Sequence, residues 1–308
     1  MSTLQPGNES ISKKYPSKDS RLKKDFAADI PNLKTDRVRV VAFALEEDIG
    51  EGDITAQLIP KEQNSTATII TREDCVICGI DWVNEVFKQL DADVEINWKV
   101  ADGDFAKANS ELCQLKGNSR SLLTGERTAL NFLQLLSGTA TTSRRFAELV
   151  KDTEVKILDT RKTIPGLRSA QKYAVRCGGC HNHRIGLYDA FLIKENHIAA
   201  CDGITNAIKT ARTQNPGKTV EVEVENLEEL MEALAAKADV IMLDNFSDEE
   251  LQKSSLLEKG YSKFESSGNL QIKEVSDRLS GIADYASFGS LTKNLTAIDL
   301  SMKINVKS

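Results

Sequence analysis

The sequence has no long apolar run. No window of its 308 residues approaches the roughly 18 consecutive uncharged apolar residues of a membrane-spanning helix. Residues 1–35 also lack the apolar core of a secretory signal, and their Ser, Asn and charged residues are typical of a polar, solvated tail. We therefore expect no membrane partner, a polar and flexible tail at residues 1–35, and a cytoplasmic location.

The sequence also lacks the cysteine density of a disulfide framework and the positive charge of a nucleic-acid-binding protein. Its six cysteines are typical of reduced thiols in a chain without a signal peptide. Its formal net charge is −6, which disfavours nucleic acid as a partner. Because 40% of the residues are apolar, the chain can bury a full core, and its length allows two domains.

The N-terminal part of the chain is predicted to be a mixed α+β unit. Apolar residues at helical spacing predict helices over 36–48 and 81–90. Short apolar segments bounded by polar residues predict strands over 65–71, 75–80 and 94–100. We expect these strands to pair in antiparallel fashion.

A longer apolar pattern over 121–136 predicts a further helix. Ser137 and Gly138 should end it, because this pair commonly interrupts helical patterns. A separate helix is predicted over 141–150, leading into the second part of the chain.

From residue 155 onward, short apolar strands alternate with helices of about ten residues. Strands are predicted over 155–158, 190–193, 220–224 and 240–243, and from weaker patterns over 263–268 and 285–288. Helices are predicted between them over 203–212 and 227–237. This alternation is typical of a parallel α/β sheet or barrel. The last segment, 297–306, is predicted to be a strand or a helix that returns to the N-terminal unit.

Positive charge is concentrated after two of the predicted barrel strands. The segment 157–198 holds all three histidines, and its seven Lys/Arg against three acids make it net +4. In an α/β barrel, side chains at the C-terminal ends of the strands converge on one mouth. We therefore expect Arg161, Lys162 and Lys194 to meet there and to bind a strongly anionic ligand. The alternative is that these charges form ordinary surface ion pairs.

Acidic residues occur in the same part of the chain. Valine and glutamate alternate over 221–225, so the valines should face one side of a strand and the acids the other. Buried carboxylates need cations or a metal as partners, and the basic residues at neighbouring strand ends are available. Glu223 and Asp244 suit the hydroxyl groups of a ligand and Mg²⁺.

The sequence CGGCH at 177–181 matches the pattern of covalent haem attachment, and with His183 it also imitates a zinc loop. Covalent haem requires an export context, and a structural zinc site needs a second ligand pair. We favour the interpretation that Gly178 and Gly179 mark a close backbone approach from which His183 and Arg184 are presented. A haem or zinc binding module is the non-enzyme alternative.

Eight short motifs occur in order between residues 123 and 245. They are LTGERTALN at 123–131, SGTA at 137–140, DTRKTIPGLR at 159–168, KYAVRCGG at 172–179, NHR at 182–184, KENH at 194–197, VEV at 222–224 and LDN at 243–245. Together they closely resemble quinolinate phosphoribosyltransferase, the nicotinate-nucleotide pyrophosphorylase (carboxylating) of NAD biosynthesis. The resemblance covers about residues 36–308.

The resemblance implies an α/β fold with two domains. One is an open α+β sandwich over 36–138, joined by a C-terminal segment at about 291–308, and the other is an incomplete α/β (TIM-like) barrel over 139–290. It also implies a transferase that moves the phosphoribosyl group of phosphoribosyl pyrophosphate to quinolinate with decarboxylation. The products are nicotinate mononucleotide, pyrophosphate and CO₂. Family members are homodimers or larger homo-oligomers, in which the residue matching Arg127 completes the neighbouring subunit's site.

The same resemblance implies roles for individual residues. The two carboxylates of quinolinate would be held by Arg127, Arg161, His183, Arg184 and Lys194, with Lys162 close by in the substrate site. The cofactor Mg²⁺ and the ribose hydroxyls lie near Glu223 and Asp244, and the 5′-phosphate meets backbone N–H groups around Ser267, Gly268 and Gly289. The catalytic candidates are Lys162, Lys194, Glu223 and Asp244. Asn269 departs from the family's Ser-Gly-Gly phosphate loop.

The implied reaction needs no general base, because the attacking pyridine nitrogen carries no proton. The transition state should resemble an oxocarbenium ion, so positioning and charge stabilisation carry the catalysis. The enzyme-class alternative is a related phosphoribosyltransferase that uses nicotinate or another base. A monocarboxylate needs fewer cations, so the complete set from Arg127 to Lys194 favours quinolinate.

Overall fold

The structure is a computed structural model that describes residues 26–28, 30–268 and 271–305. Most of the predicted tail lies outside the described residues, and so does Asn269. The chain divides into two compact units. The first contains residues 34–138 and the C-terminal segment from Thr296, and the second contains residues 139–295 together with residues 30–33.

The first unit is built on a four-stranded antiparallel sheet. Its strands are β1 (Asn64–Thr71), β3 (Glu95–Trp98), β5 (Glu111–Asn118) and β12 (Leu300–Asn305), in the order β12-β1-β5-β3. Its other elements are helices α1 (Leu33–Ile49) and α2 (Ile80–Leu90) and a small ladder of β2 (Cys75–Val76) with β4 (Phe105–Ala106). The predicted helices and the strands over 65–71 and 94–100 are confirmed. The final segment is a strand, and it pairs with β1.

The strand predicted over 75–80 is wrong beyond its second residue, because the chain turns and begins α2. Gly79 has a φ of +119°, a left-handed conformation that glycine adopts without strain. The backbone N–H groups of Gly79 and of the first residue of α2 both donate to Asp102 Oδ1, at 3.0 and 3.2 Å. This side chain satisfies donors that a helix start otherwise leaves unpaired.

The helix break predicted at Ser137 and Gly138 is wrong. Helix α3 runs without interruption over Ser119–Leu149 and includes the second helix predicted there. Ser137 Oγ accepts a hydrogen bond from Cys78 N at 3.0 Å, and a Cβ on Gly138 would lie 2.2 Å from Thr296 O. These small residues therefore serve close packing inside the helix, and that packing outweighs their weak helix propensity.

The second unit contains six parallel strands. They are β6 (Lys156–Leu158), β7 (Phe191–Ile193), β8 (Val220–Val224), β9 (Val240–Asp244), β10 (Lys263–Ser267) and β11 (Tyr285–Ser287), in the order β6-β11-β10-β9-β8-β7. The first strand pairs with the last and the others pair in sequence, so the sheet forms a barrel that is open between β6 and β7. The predicted α/β class with an incomplete barrel is confirmed.

Helices follow the barrel strands. They are α4 (Arg168–Gly178), α5 (Glu195–Ala200), α6 (Ile204–Gln214), α7 (Leu227–Ala235), α8 (Asp248–Ser255), α9 (Val275–Leu279) and α10 (Ser290–Lys293). Local capping sets two of their starts. Asn226 Oδ1 accepts from Glu229 N at 3.0 Å before α7, and Ser247 and Glu250 form a capping box before α8.

The core of the second unit lies between the sheet and these helices. Val220, Val222 and Val224 of β8 are fully buried, in one apolar cluster with Ile208 of α6 and Leu230 of α7. The alternation along β8 therefore directs its glutamates to the opposite face, as predicted. Among the helices of the described residues, none is long and apolar enough to cross a membrane.

Candidate active site

The His183–Arg184 segment is held by a buried ion pair. Asp159, at the end of β6, and Lys172, on α4, both have fully buried side chains, and their Oδ1 and Nζ atoms are 2.5 Å apart. Asp159 also accepts hydrogen bonds from His183 N at 2.9 Å and Asn182 Nδ2 at 2.7 Å, and Lys172 Nζ donates to His183 O at 2.9 Å. Burial raises the pKa of Asp159 and lowers the pKa of Lys172, and their mutual attraction opposes both shifts.

The sequence interpretation missed the pairing of Asp159 with Lys172, which holds the backbone of His183. Both residues occur in the family motifs, yet no role was predicted for either. The available signal was an aspartate that directly follows a buried strand, because such a carboxylate requires a cationic partner.

The glycine pair after α4 permits a close backbone approach, as predicted. A Cβ on Gly178 would lie 2.4 Å from Ser143 Cβ and 2.5 Å from Ala140 O, and Gly179 adopts a φ of +99°. Cys180 is buried, and its Sγ lies 3.1 Å from Ser143 O. Burial raises the pKa of Cys180 to about 12, which disfavours the thiolate that a metal or redox site needs.

Two of the predicted cations, Arg161 and Lys194, follow the barrel strands β6 and β7, and Arg184 lies between α4 and β7, three residues after His181, which bridges in parallel to Leu158 of β6. Burial lowers the pKa of Arg184, and the positive charge of the nearby Arg161 lowers it further. Arg184 Nη1 donates to Ala190 O at 3.2 Å, just before β7. Lys194 follows β7, and its Nζ contacts Glu223 Oε2 on the neighbouring strand β8.

The two glutamates of β8 take different partners. Glu223 is paired with Lys194, one of the cations predicted for it. Glu221 instead lies against His183, whose Nε2 is 2.9 Å from Glu221 Oε2. The carboxylate of Glu221 therefore contacts His183 inside the barrel. Glu223 lies two residues further along β8, nearer to the C-terminal end of the strand.

The remaining predicted residues of the second unit lie at the ends of β9, β10 and β11. Asp244 pairs in register with Ser267 on the adjacent strand. Gly268 has a φ of +107°, and a Cβ there would lie 2.3 Å from Asn245 Oδ1. A Cβ on Gly289 would lie 2.8 Å from Lys162 Cδ, in a flexible side chain. Gly268 thus allows a backbone approach that a larger residue would block.

Glu265 was not predicted as a site residue. It lies on β10 with only 1% of its side chain exposed, and its Oε2 is 3.6 Å from His183 Nε2. Burial, followed by the charge of Glu221, raises the pKa of Glu265 to about 8. The signal in the sequence was the unusually polar pattern of this strand.

Arg127 belongs to the first unit, unlike the other predicted site residues. It lies on α3, and its side chain is exposed.

The chain matches two family models. "Quinolinate phosphoribosyl transferase, N-terminal domain" matches residues 53–137, and "Quinolinate phosphoribosyl transferase, C-terminal domain" matches residues 139–303. The two matches meet at residue 138, where the unit with the antiparallel sheet ends and the unit with the parallel barrel begins.

Named relatives and a solved structure show the same similarity. The chain is 42% identical over 264 residues to "Probable nicotinate-nucleotide pyrophosphorylase (carboxylating)" of Bacillus subtilis, covering 85% of this chain and 91% of the relative. It is 35% identical over 289 residues to "Quinolinate phosphoribosyltransferase (decarboxylating) 1" of Nicotiana glauca, covering 87% and 82%. The solved nicotinate-nucleotide pyrophosphorylase of Francisella tularensis is 49% identical, with a TM-score of 0.83 over 88% of this chain and 96% of that one.

Proposed function

The chain belongs to the quinolinate phosphoribosyltransferase family, and from this premise we propose that it converts quinolinate and phosphoribosyl pyrophosphate to nicotinate mononucleotide, pyrophosphate and CO₂. This is a pentosyl transfer of de novo NAD biosynthesis. Two observations support the proposal: Arg161 and Arg184 lie close together, and Lys194 contacts Glu223 on β8. Arg and Lys side chains bind carboxylate and phosphate groups through strong, charge-assisted hydrogen bonds, and both substrates carry such groups.

The pyridine dicarboxylate would occupy the cationic side of this site. Arg161 and Arg184 offer planar guanidinium groups, which suit carboxylates because two N–H groups can bind both oxygens. Lys162 and Lys194 add point charges. The contact of Lys194 with Glu223 makes this lysine the link between the pyridine and the ribose ends of the site.

The phosphoribosyl donor would occupy the acidic side and the glycine turns. Glu223 and Asp244 would accept hydrogen bonds from the ribose hydroxyls, and backbone N–H groups near Ser267, Gly268 and Gly289 would meet the 5′-phosphate. Glu223 and Asp244 also fit Mg²⁺, which prefers carboxylate oxygens and usually keeps several waters. Bound Mg²⁺ would supply charge neutralisation for the pyrophosphate.

The chemistry proposed for this site is displacement followed by decarboxylation. The pyridine nitrogen attacks C1′ with its lone pair, and the C1′–O bond electrons leave with pyrophosphate. The nitrogen is then cationic, so it stabilises the electron pair left at C2 when the adjacent carboxylate departs as CO₂. This electron pair at C2 then takes a proton from water, which forms the C2–H bond of the product. The residues contribute by holding the reactants and their charges, not by removing a proton.

We also propose a homodimer or larger homo-oligomer in which Arg127 completes the site of a neighbouring subunit. Its exposure on α3 supports this role. Arg127→Ala should be inactive and Lys194→Ala strongly impaired at a low quinolinate concentration, and a mixture of the two should be more active than either variant alone after subunit exchange. No recovery after verified exchange would contradict a shared site. A cytoplasmic location belongs to the same proposal and is checked by cell fractionation.

The test of the reaction is incubation with quinolinate, phosphoribosyl pyrophosphate and Mg²⁺. Nicotinate mononucleotide, pyrophosphate and CO₂ should form in equal amounts, and chelation of Mg²⁺ should stop turnover. Lys194→Ala should raise the KM for quinolinate by about tenfold or more, since it removes a charged partner. Lys209→Ala, on the exposed side of α6, is the matched control. Turnover of nicotinate without turnover of quinolinate would replace this proposal with the related enzyme class.

A further inference from the structure

Both ring nitrogens of His183 are directed at the protein. Only 9% of the side chain is exposed. Nδ1 accepts a hydrogen bond from the backbone N–H of Arg184 at 2.8 Å. Nε2 lies 2.9 Å from Glu221 Oε2 and 3.6 Å from Glu265 Oε2. Neither nitrogen is therefore oriented toward a ligand in the mouth of the barrel.

The contact with Arg184 fixes the tautomer of the ring. A backbone N–H can donate only to an unprotonated nitrogen, so the hydrogen of the neutral imidazole is on Nε2, facing the two carboxylates. Burial lowers the pKa of His183, but the neighbouring carboxylates of Glu221 and Glu265 outweigh burial and raise it. A second proton, on Nδ1, would meet the Arg184 N–H, so this hydrogen bond opposes that rise.

The same tautomer argues against a metal ion at this place. The ligand atoms of His183, Glu221 and Glu265 lie within 4.8 Å of one another, which is close enough for them to share an ion. A metal would need the lone pair of Nε2, while Nδ1 already accepts from Arg184. The ring would then carry no proton on either nitrogen, and this imidazolate form is unfavourable at neutral pH.

We propose that His183 is a positioning residue. Its contacts with Glu221 and Glu265 hold the ring, and the ring fixes the backbone of Arg184 so that the guanidinium of Arg184 meets the substrate carboxylate. This inference rests on the proposed function. It differs from the direct carboxylate contact that the sequence predicted for His183. His183 transmits its effect through Arg184 and does not touch the pyridine dicarboxylate.

The opposite side of the segment is fixed independently. Asp159 accepts from His183 N, and Lys172 donates to His183 O. The backbone before Arg184 is thus fixed at two atoms, and the ring of His183 supplies the third constraint, at Arg184 N. An arginine that binds a carboxylate through two parallel hydrogen bonds depends strongly on its placement, because small displacements weaken both bonds.

The test uses two substitutions that each keep one nitrogen position. In His183→Asn, Oδ1 replaces Nδ1 as the acceptor for Arg184 N–H, whereas in His183→Gln the amide lies nearer to the position of Nε2. We expect the Kd for quinolinate to rise by about tenfold or more in His183→Gln and by only about threefold in His183→Asn. Circular dichroism and thermal unfolding confirm that both variants fold.

A double-mutant cycle with Arg184→Ala separates positioning from direct contact. If His183 acts through Arg184, His183→Gln should change the Kd by less than about twofold once Arg184 is absent. A loss in the Arg184→Ala background as large as that in the wild type would overturn the inference. So would a stoichiometric metal in the wild-type protein that is lost in Glu265→Gln. If the wild-type protein binds no quinolinate, the proposed function itself fails, and the inference falls with it.

Discussion

The buried ion pair of Asp159 with Lys172 offers a prediction about stability. In Lys172→Met the carboxylate of Asp159 stays buried with only Asn182 Nδ2 and His183 N as donors, and His183 O loses its hydrogen bond from Nζ. Removing one partner of a fully buried pair costs about 3–5 kcal/mol, since the other charge is left uncompensated. We expect a loss of this size in the free energy of unfolding.

The loss is large enough to be measured by two methods. Each kcal/mol shifts the melting temperature of a domain of this size by about 2–4 °C, so the shift should be roughly 6–20 °C. Urea denaturation should show a lower midpoint. The double variant Asp159→Asn with Lys172→Met should recover much of the stability, because no unpaired charge remains buried. A loss below about 1 kcal/mol in Lys172→Met, or a double variant no more stable than the single one, would refute this reasoning.

Three further predictions address pH, packing and thiol reactivity. Glu265 has a pKa of about 8 in the folded protein against 4.5 normally. Between these values the folded state keeps a proton that the unfolded state has lost, so stability should fall as pH rises. Glu265→Gln should flatten this fall in urea midpoints between about pH 5 and pH 8.5, and an unchanged slope would contradict the assignment. Gly178→Ala should cost about 1–3 kcal/mol, because its Cβ would meet Ser143 Cβ; an unchanged urea midpoint would exclude this close approach. Iodoacetamide should label the partly exposed Cys201 before the buried Cys180, as read by mass spectrometry. Faster labelling of Cys180 would show that its burial is incomplete.

Much of the barrel could be predicted from local patterns. Valine and glutamate alternate along β8, and this period of two decides which side chains enter the core. Charged residues after β6 and β7 likewise indicated a site, because parallel strands bring their C-terminal ends to one edge. The eight motifs then identified the family, which the comparisons confirm.

Local patterns failed where distant contacts decide the outcome. Ser137 and Gly138 have the composition of a helix end, but contacts with residues about 60 and 160 positions away make them favourable inside α3. Gly79 and Asp102, 23 positions apart, begin a helix where a strand was predicted. In both cases a long-range hydrogen bond or backbone approach outweighs intrinsic propensity.

The sequence alone determined most of the order of the elements, the face that β8 buries and the charged residues that follow β6 and β7. Only the tertiary structure decided how those charges pair, since Asp159, Lys172, His183, Glu221 and Glu265 come from five separate segments of the chain. The physical reason is that a buried charge must be paired. Which partner it finds depends on the register and curvature of the sheet, and no local pattern of residues specifies either one.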